Sequence, residues 1–230
     1  MNSILKNKNI LITGATGGVG RELCSQFTKE GANLFITSKH SGKLNKLALE
    51  LNCEHKESDF NSDLTELIEY IRSTIGHIDI LVNCAGVFVS NEIEKLTIEN
   101  FDEIFNINVK APFVLIKEFS KDMKNNNWGR IINIGSNSAY TGTARNTLYC
   151  STKHALLGLS RSLHQELKVD NIRTYCFSPG GMQTPMGKKI NKEEFDKFIL
   201  PEEFVSYIIH SIKYNSNMVS DEIKLNRVGT

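Results

Sequence analysis

The chain has 230 residues, a formal charge of +1, 40% hydrophobic and 23% charged residues, which suits one well-buried globular domain. With no basic run longer than Lys188-Lys189, it lacks the electrostatic footprint of a nucleic-acid or anionic-membrane partner. No apolar run reaches the ~18 residues of a membrane helix, and Met1 to Asn9 lacks the apolar core of a secretion signal. The five cysteines (Cys24, Cys53, Cys84, Cys150, Cys176) are odd in number and scattered, so the expectation is a cytoplasmic protein with reduced thiols and no metal site.

Short apolar, β-branched runs alternate with amphipathic stretches along the chain. In chain order the pattern predicts a strand over Asn9–Thr13, a helix over Gly18–Glu30, a strand over Asn33–Thr37 and a helix over Gly42–Leu51. A strand over Cys53–Glu57, a helix over Asp63–Ile75 and a strand over Ile78–Asn83 follow. One long helix is predicted over Ile98–Met123, then a strand over Arg130–Ile134 and a helix over Thr147–Val169. The last elements are a strand over Ile172–Ser178, a helix over Pro201–Tyr214 and a strand over Glu222–Leu225. Asp63 and Thr97 are the predicted N-caps. Most strands read as continuously apolar, as strands covered on both faces do. Repeated strand–helix units imply a parallel sheet with right-handed crossovers. The expected fold is α/β, a three-layer doubly wound Rossmann-like sheet of about seven strands, in one domain over residues 1–230. A short substrate segment is expected at about 181–200.

The first strand runs into Thr13-Gly14-Ala15-Thr16-Gly17-Gly18-Val19-Gly20, and a helical pattern starts at once. Glycines here let the backbone approach a pyrophosphate closely, and the helix N-terminus offers free N–H groups. The spacing is not G-x-G-x-x-G, since position 23 is Leu. Farther on stand Asn83-Cys84-Ala85-Gly86, Asn108, Ser136, Tyr149-Cys150-Ser151-Thr152-Lys153 and Pro179-Gly180 with Thr184. Taken together and in this order, these motifs resemble the compact branch of the short-chain dehydrogenase/reductase family. The glycine turn alone is also compatible with the sugar-nucleotide epimerase branch, whose large C-terminal substrate domain has no room after Thr184.

The resemblance implies a nicotinamide dinucleotide held by Gly14, Thr16, Gly18, Val19 and Gly20, with Asn83, Ala85 and Gly86 running beside it. Asp59 and Phe60 match the adenine side; Pro179, Gly180 and Thr184 match the nicotinamide side. It further implies a catalytic set of Asn108, Ser136, Tyr149 and Lys153, the last two also touching the cofactor, with Asn108 holding a water that connects Lys153 to solvent. The residues suit the chemistry. Tyr149 and Lys153 are four apart and share a helix face. A phenol of pKa about 10 is a poor base at neutral pH, but a neighbouring ammonium and a cationic nicotinamide favour its ionised form. Ser136 supplies a hydroxyl for a developing oxyanion. Ser138 is the substitute for Ser136. Asn106, His154, Cys150 and Cys176 read as structural; Phe101, Phe105 and Phe113 read as core or subunit contact. Trp128, before a Gly-Arg turn, reads as a loop anchor.

The second predicted strand ends in Ser38-Lys39 rather than an acidic residue. A carboxylate there accepts a ribose diol and repels a 2′-phosphate; a serine and a lysine can instead bind the phosphate, so NADP(H) is expected over NAD(H). The expected activity is interconversion of a small-molecule carbonyl and a secondary alcohol. Similarity extends equally to 3-oxoacyl carrier-protein reductases and to reductases of surface-polysaccharide clusters, and the alternative is a non-catalytic NADP(H) sensor. Ile104, Ile107, Val114, Leu115 and Phe119, with Leu156, Leu157, Leu159 and Leu163, spread too widely for one sheet-facing stripe on each long helix. A homodimer or homotetramer is the expectation.

Overall fold

The computed structural model describes residues 4–190, 192–214 and 217–228. Met1 to Ser3, in the segment read for a secretion signal, and Asn191, within the expected substrate segment, lie outside the described residues. Seven strands form one parallel sheet: β1 (Asn9–Thr13), β2 (Asn33–Ser38), β3 (Glu54–Glu57), β4 (Ile80–Asn83), β5 (Gly129–Ile134), β6 (Ile172–Pro179) and β7 (Glu222–Leu225), in the order β3-β2-β1-β4-β5-β6-β7. The chain order reverses between β1 and β4, where Ile10 pairs with Ile80 and Ile12 with Val82. Among the described residues, eight α-helices accompany the sheet: α1 (Gly18–Lys29), α2 (Ser41–Leu51), α3 (Thr65–Thr74), α4 (Ile98–Phe105), α5 (Ala111–Asn125), α6 (Thr147–Leu167), α7 (Pro185–Ile190) and α8 (Pro201–Lys213).

The apolar runs follow from cover on both faces. Ile10, Ile12, Leu34 and Ile36 enter one cluster with Leu23, Phe27 and Leu44 of α1 and α2 and Phe204 and Ile208 of α8. Leu11, Phe35, Leu81 and Ile131 point the other way, into a cluster with Leu67, Ile71, Leu115 and Phe119. Successive strand side chains thus alternate between two cores, and neither register leaves a face for water. The edge strands differ: β3 is polar and partly exposed, and β7 exposes Lys224.

Several expected boundaries move for local reasons. The helix expected from Asp63 starts at Thr65, because the Asp63 carboxylate accepts both the N–H (3.0 Å) and the hydroxyl (2.9 Å) of Thr65 in a preceding turn. Thr97 does cap α4: its hydroxyl accepts the Asn100 N–H and the Asn100 side chain returns to the Thr97 N–H. The fourth strand begins at Ile80 rather than Ile78. Asp79 instead turns its carboxylate to Lys8 (3.0 Å) and the Asn9 N–H (2.9 Å) at the other end of the sheet. Gly129-Arg130 is no turn but the start of β5, and Trp128 before it lies between the Lys8 ammonium and the Arg130 guanidinium.

Two differences bear on function. The single helix expected over Ile98–Met123 is two helices joined by one π-helical turn, Asn106–Lys110. The segment at 181–200, expected to be merely short, carries the six-residue α7 and a 3-10 turn at Phe195–Lys197. The apolar residues offered for a second helix face are mostly inside this chain: Ile104, Ile107, Leu115, Phe119, Leu156 and Leu157 are all buried. The outward apolar side chains are others: Ile98 (73% exposed), and Phe101 (43%) and Phe113 (49%), which line a groove with Phe105, Val109 and Leu159.

Candidate active site

The carboxyl ends of β1, β4, β5 and β6 converge where the strand order reverses, the place at which open α/β sheets present a crevice. Thr13, buried at the end of β1, builds its centre. Its hydroxyl donates to the Val82 carbonyl (3.3 Å) and accepts the N–H groups of Cys84 and Ala85 (both 3.0 Å). The strand end that opens the glycine turn therefore also shapes the Asn83–Gly86 segment.

Gly14 adopts φ +64°, and a Cβ there would lie 2.7 Å from the Ala85 Cα, so no side chain fits. A Cβ on Gly18 would come within 2.8 Å of the Thr184 methyl, which brings the turn against the far wall of the crevice. Gly17 precedes α1 without a side-chain cap. The first N–H groups of the helix, at Gly18, Val19 and Gly20, lack intrahelical partners and face the turn, as anion binding at a helix N-terminus requires. Side-chain-free backbone over an uncapped helix start fits a dinucleotide pyrophosphate. Thr16 reaches Ser38 by a hydroxyl pair of 2.9 Å. Ser38 is buried and also accepts the His40 N–H (3.2 Å), while Lys39 is exposed. The exposed Asp59 carboxylate accepts the Asn61 N–H (3.0 Å), and Phe60 beside it is buried.

Asn83 ties β4 to β5 by donating to the Asn133 side chain (2.8 Å), and Asn133 in turn donates to Ser160 on α6 (2.9 Å). Burial pushes the Cys84 thiol up to about 12, with the Lys153 ammonium drawing it the other way, so the thiol stays neutral. Asn108, 1% exposed on the π-turn, grips the Val87 backbone on both sides. Its amide oxygen accepts the Val87 N–H (2.9 Å), and its amide nitrogen donates to the Val87 carbonyl (3.0 Å) and the Thr152 hydroxyl (3.1 Å). The side chain expected to hold a water is thus bonded to protein on both its oxygen and its nitrogen.

Lys153 lies buried on α6 and donates to the Ile134 carbonyl (2.8 Å), two residues before Ser136. Its ammonium stands 5.7 Å from the Tyr149 ring centre. Tyr149 is half-buried, with the Phe88 ring edge-on to it at 4.9 Å. The half-buried Ser136 accepts the Ser138 N–H (3.1 Å), which turns the backbone after β5. Ser138 is thereby bound to the residue it was to replace. Pro179 pairs with Leu225, and the Gly180 N–H donates to the Leu225 carbonyl (2.8 Å). The Thr184 hydroxyl accepts the Gly187 N–H (3.1 Å) at the start of α7. Asn106 donates to Asn61 (2.8 Å), and His154 hydrogen-bonds the Cys150 carbonyl (2.9 Å); neither enters the crevice set. Sequence reading does not single out Thr152, Asn133 or Phe88. Thr152 had a detectable signal, a hydroxyl residue beside Lys153; the other two had none.

The chain matches the family model for short chain dehydrogenases over residues 8–195. It is 33% identical over 190 residues to the 3-oxoacyl-[acyl-carrier-protein] reductase FabG of Rickettsia bellii, covering 83% of this chain and 79% of that protein. It is 31% identical over 194 residues to Nodulation protein G of a Rhizobium species, with the same coverage of 83% and 79%. Among solved structures, a short chain dehydrogenase/reductase family protein superposes with a TM-score of 0.87 at 23% identity, over 98% of this chain and 97% of the other, and shares its fold. This chain belongs to the short-chain dehydrogenase/reductase family and is an oxidoreductase of alcohol and carbonyl groups.

Proposed function

We propose that the protein is an NADP(H)-preferring reductase that interconverts a small-molecule carbonyl and a secondary alcohol, with Tyr149 as general acid and base. The observation that carries this reading is the gathering of Tyr149, Lys153, Ser136 and Asn108 at one end of β4, β5 and α6, beside a side-chain-free glycine turn. Gly14, Thr16, Gly18, Val19 and Gly20 hold the pyrophosphate side of the dinucleotide, and Asn83, Ala85 and Gly86 flank it. Asp59 and Phe60 take the adenine side; Pro179, Gly180 and Thr184 take the nicotinamide side. A bound nicotinamide supplies the hydride. The rest falls to this chain. Ser136 donates to the substrate oxygen and stabilises charge as it develops there. Tyr149 gives that oxygen its proton, and Lys153 favours the phenolate left behind. Asn108 holds the segment at Val87 in register with α6, on the route by which a water resupplies Lys153.

Ser38 and Lys39 favour a 2′-phosphate over a bare ribose diol, Lys39 through its free charge and Ser38 through a hydroxyl already oriented by Thr16. The similarity to 3-oxoacyl carrier-protein reductases favours a 3-oxo compound as the carbonyl substrate. The outward Phe101 and Phe113, with Phe105 stacked on Phe101 at 4.4 Å, support a homodimer or homotetramer joined through α4, α5 and α6.

Purified protein incubated with NADPH and a panel of 3-oxo esters, ketones and aldehydes tests this. Carbonyl-dependent oxidation of NADPH is expected, with kcat/KM about tenfold or more above that with NADH, a difference of ~1.4 kcal/mol. NADPH binding without turnover across the panel would replace the reductase with a sensor.

A further inference from the structure

The residues that follow β7 reach back across the crevice. The Asn137 amide, next to Ser136, donates to the Asn226 side chain (2.6 Å). One residue on, Arg227 pairs with Glu194 (2.7 Å) in the segment after α7, both only partly exposed. The Arg227 guanidinium also lies over the Phe198 ring at 5.5 Å. Two neighbouring residues thus contact the turn after β5 and the far limb of the expected substrate segment.

That limb is bonded to the near one. Gln183 donates to it three times: its backbone N–H to the Ile199 carbonyl (2.9 Å), its side chain to the carbonyls of Asp196 (3.1 Å) and Phe198 (3.2 Å). Ile199 returns its N–H to the Gly181 carbonyl (2.9 Å). The Phe198 ring covers Gly181 so closely that a Cβ there would lie 2.8 Å from it. The near limb then leads to Thr184, whose methyl lies against Gly18 of the glycine turn. A continuous path runs from Arg227 through Glu194 and Phe198 to Gly181, Gln183 and Thr184.

We propose that Asn226 and Arg227 form a strap that positions the two limbs around Gly181–Thr184 and Glu194–Ile199, and that Arg227 is a positioning residue for the nicotinamide side of the crevice. The physical case is one of local stability. A short segment with few buried apolar contacts opens easily, and its opening equilibrium is set by the few contacts that tie it down. The Arg227–Glu194 pair, with the guanidinium over an aromatic ring, is a contact of this kind. Its loss frees the far limb first, and Thr184 through Gln183 and Phe198. Asn226 sets the direction of the strap by engaging Asn137, so the limbs are referenced to the same turn that carries Ser136.

The effect on cofactor binding rests on the nicotinamide reading above; the effect on the limbs does not. Hydrogen exchange on the cofactor-free protein tests the latter. Arg227→Gln is expected to speed exchange in peptides over residues 181–187 and 194–199 by about tenfold, the scale of one partly buried charge-assisted contact. Peptides of β1 and β5 should be unchanged. The charge exchange Glu194→Arg with Arg227→Glu restores the ion pair but not the guanidinium over Phe198, and should recover part of the difference from wild type. NADPH fluorescence titration supplies the second readout: affinity should fall about three- to tenfold in Arg227→Gln and recover in part in the exchanged pair. Exchange within twofold of wild type in Arg227→Gln, or no recovery in the exchanged pair, overturns the strap. Faster exchange with unchanged NADPH affinity overturns the positioning role. A wild-type protein that fails to bind NADPH overturns the cofactor reading instead, while the exchange rates still decide the strap.

Discussion

Tyr149 meets the protein through its ring, edge-on to Phe88, and among the described residues no group hydrogen-bonds its hydroxyl. The phenol is therefore available to a substrate, and Tyr149→Phe leaves packing intact while removing the proton. Turnover should fall at least ~100-fold with NADPH affinity retained; more than about a tenth of wild-type activity would take Tyr149 out of the role. At the other end of the crevice, Ser38→Asp with Lys39→Ala should reverse the cofactor preference, since the new carboxylate repels a 2′-phosphate and accepts a diol. Steady-state kinetics with both nucleotides measures it, and a wild-type enzyme faster with NADH would contradict the assignment of Lys39. The grouping of Tyr149 with Lys153 and Asn108 was legible because it depends on residue type at a fixed spacing. The hydroxyl of Thr152, bonded to Asn108 and to the Tyr149 carbonyl (2.9 Å), was legible only as a hydroxyl beside Lys153, since its importance comes from a partner 44 residues away.

The π-turn is the element on which the position of Asn108 depends. It is a one-residue enlargement of a helical turn, and the sequence of Asn106–Lys110 reads as helix with or without it. That is why a single helix was expected: periodicity reports which face is apolar and is nearly blind to one extra residue. The alternation of strands and helices, by contrast, was readable over the whole sheet, as was the Thr97 cap. Deleting Val109 should convert the turn to ordinary α-helix. It would rotate α5 by ~100° relative to Asn108 and separate Asn108 from Val87 and Thr152. We expect far-UV circular dichroism close to wild type and activity lowered ~100-fold or more, the usual consequence of shifting a site by about 1 Å. An active deletion variant would show that this turn is incidental to the site.

At the scale of the whole molecule, the face of α4 and α5 leaves Phe101 and Phe113 in water, at a cost that a second copy of the chain would remove. Phe101→Asp with Phe113→Asp should yield a species near the 25.9 kDa of one chain by light scattering at micromolar concentration, where the unaltered protein is expected to run at a multiple of it. A wild-type protein that is itself monomeric and fully active would refute the assembly. The π-turn with Asn108 joins these two helices, so the dissociated form should also lose activity, several-fold or more.

Thr13 and the residues it bonds have a consequence for synthesis. Its hydroxyl waits for N–H groups 71 and 72 positions later, and Asn137 waits for Asn226, 89 positions on. A chain leaving the ribosome exposes the glycine turn, then Tyr149 and Lys153, well before the Leu225 carbonyl exists to fix Gly180. Because these pairings join distant parts of the chain, a chain that lacks β7 carries its reacting groups without the Leu225 anchor for Gly180. The crevice is therefore complete only when β7 is, and a product that stops short of Leu225 is expected to be inert.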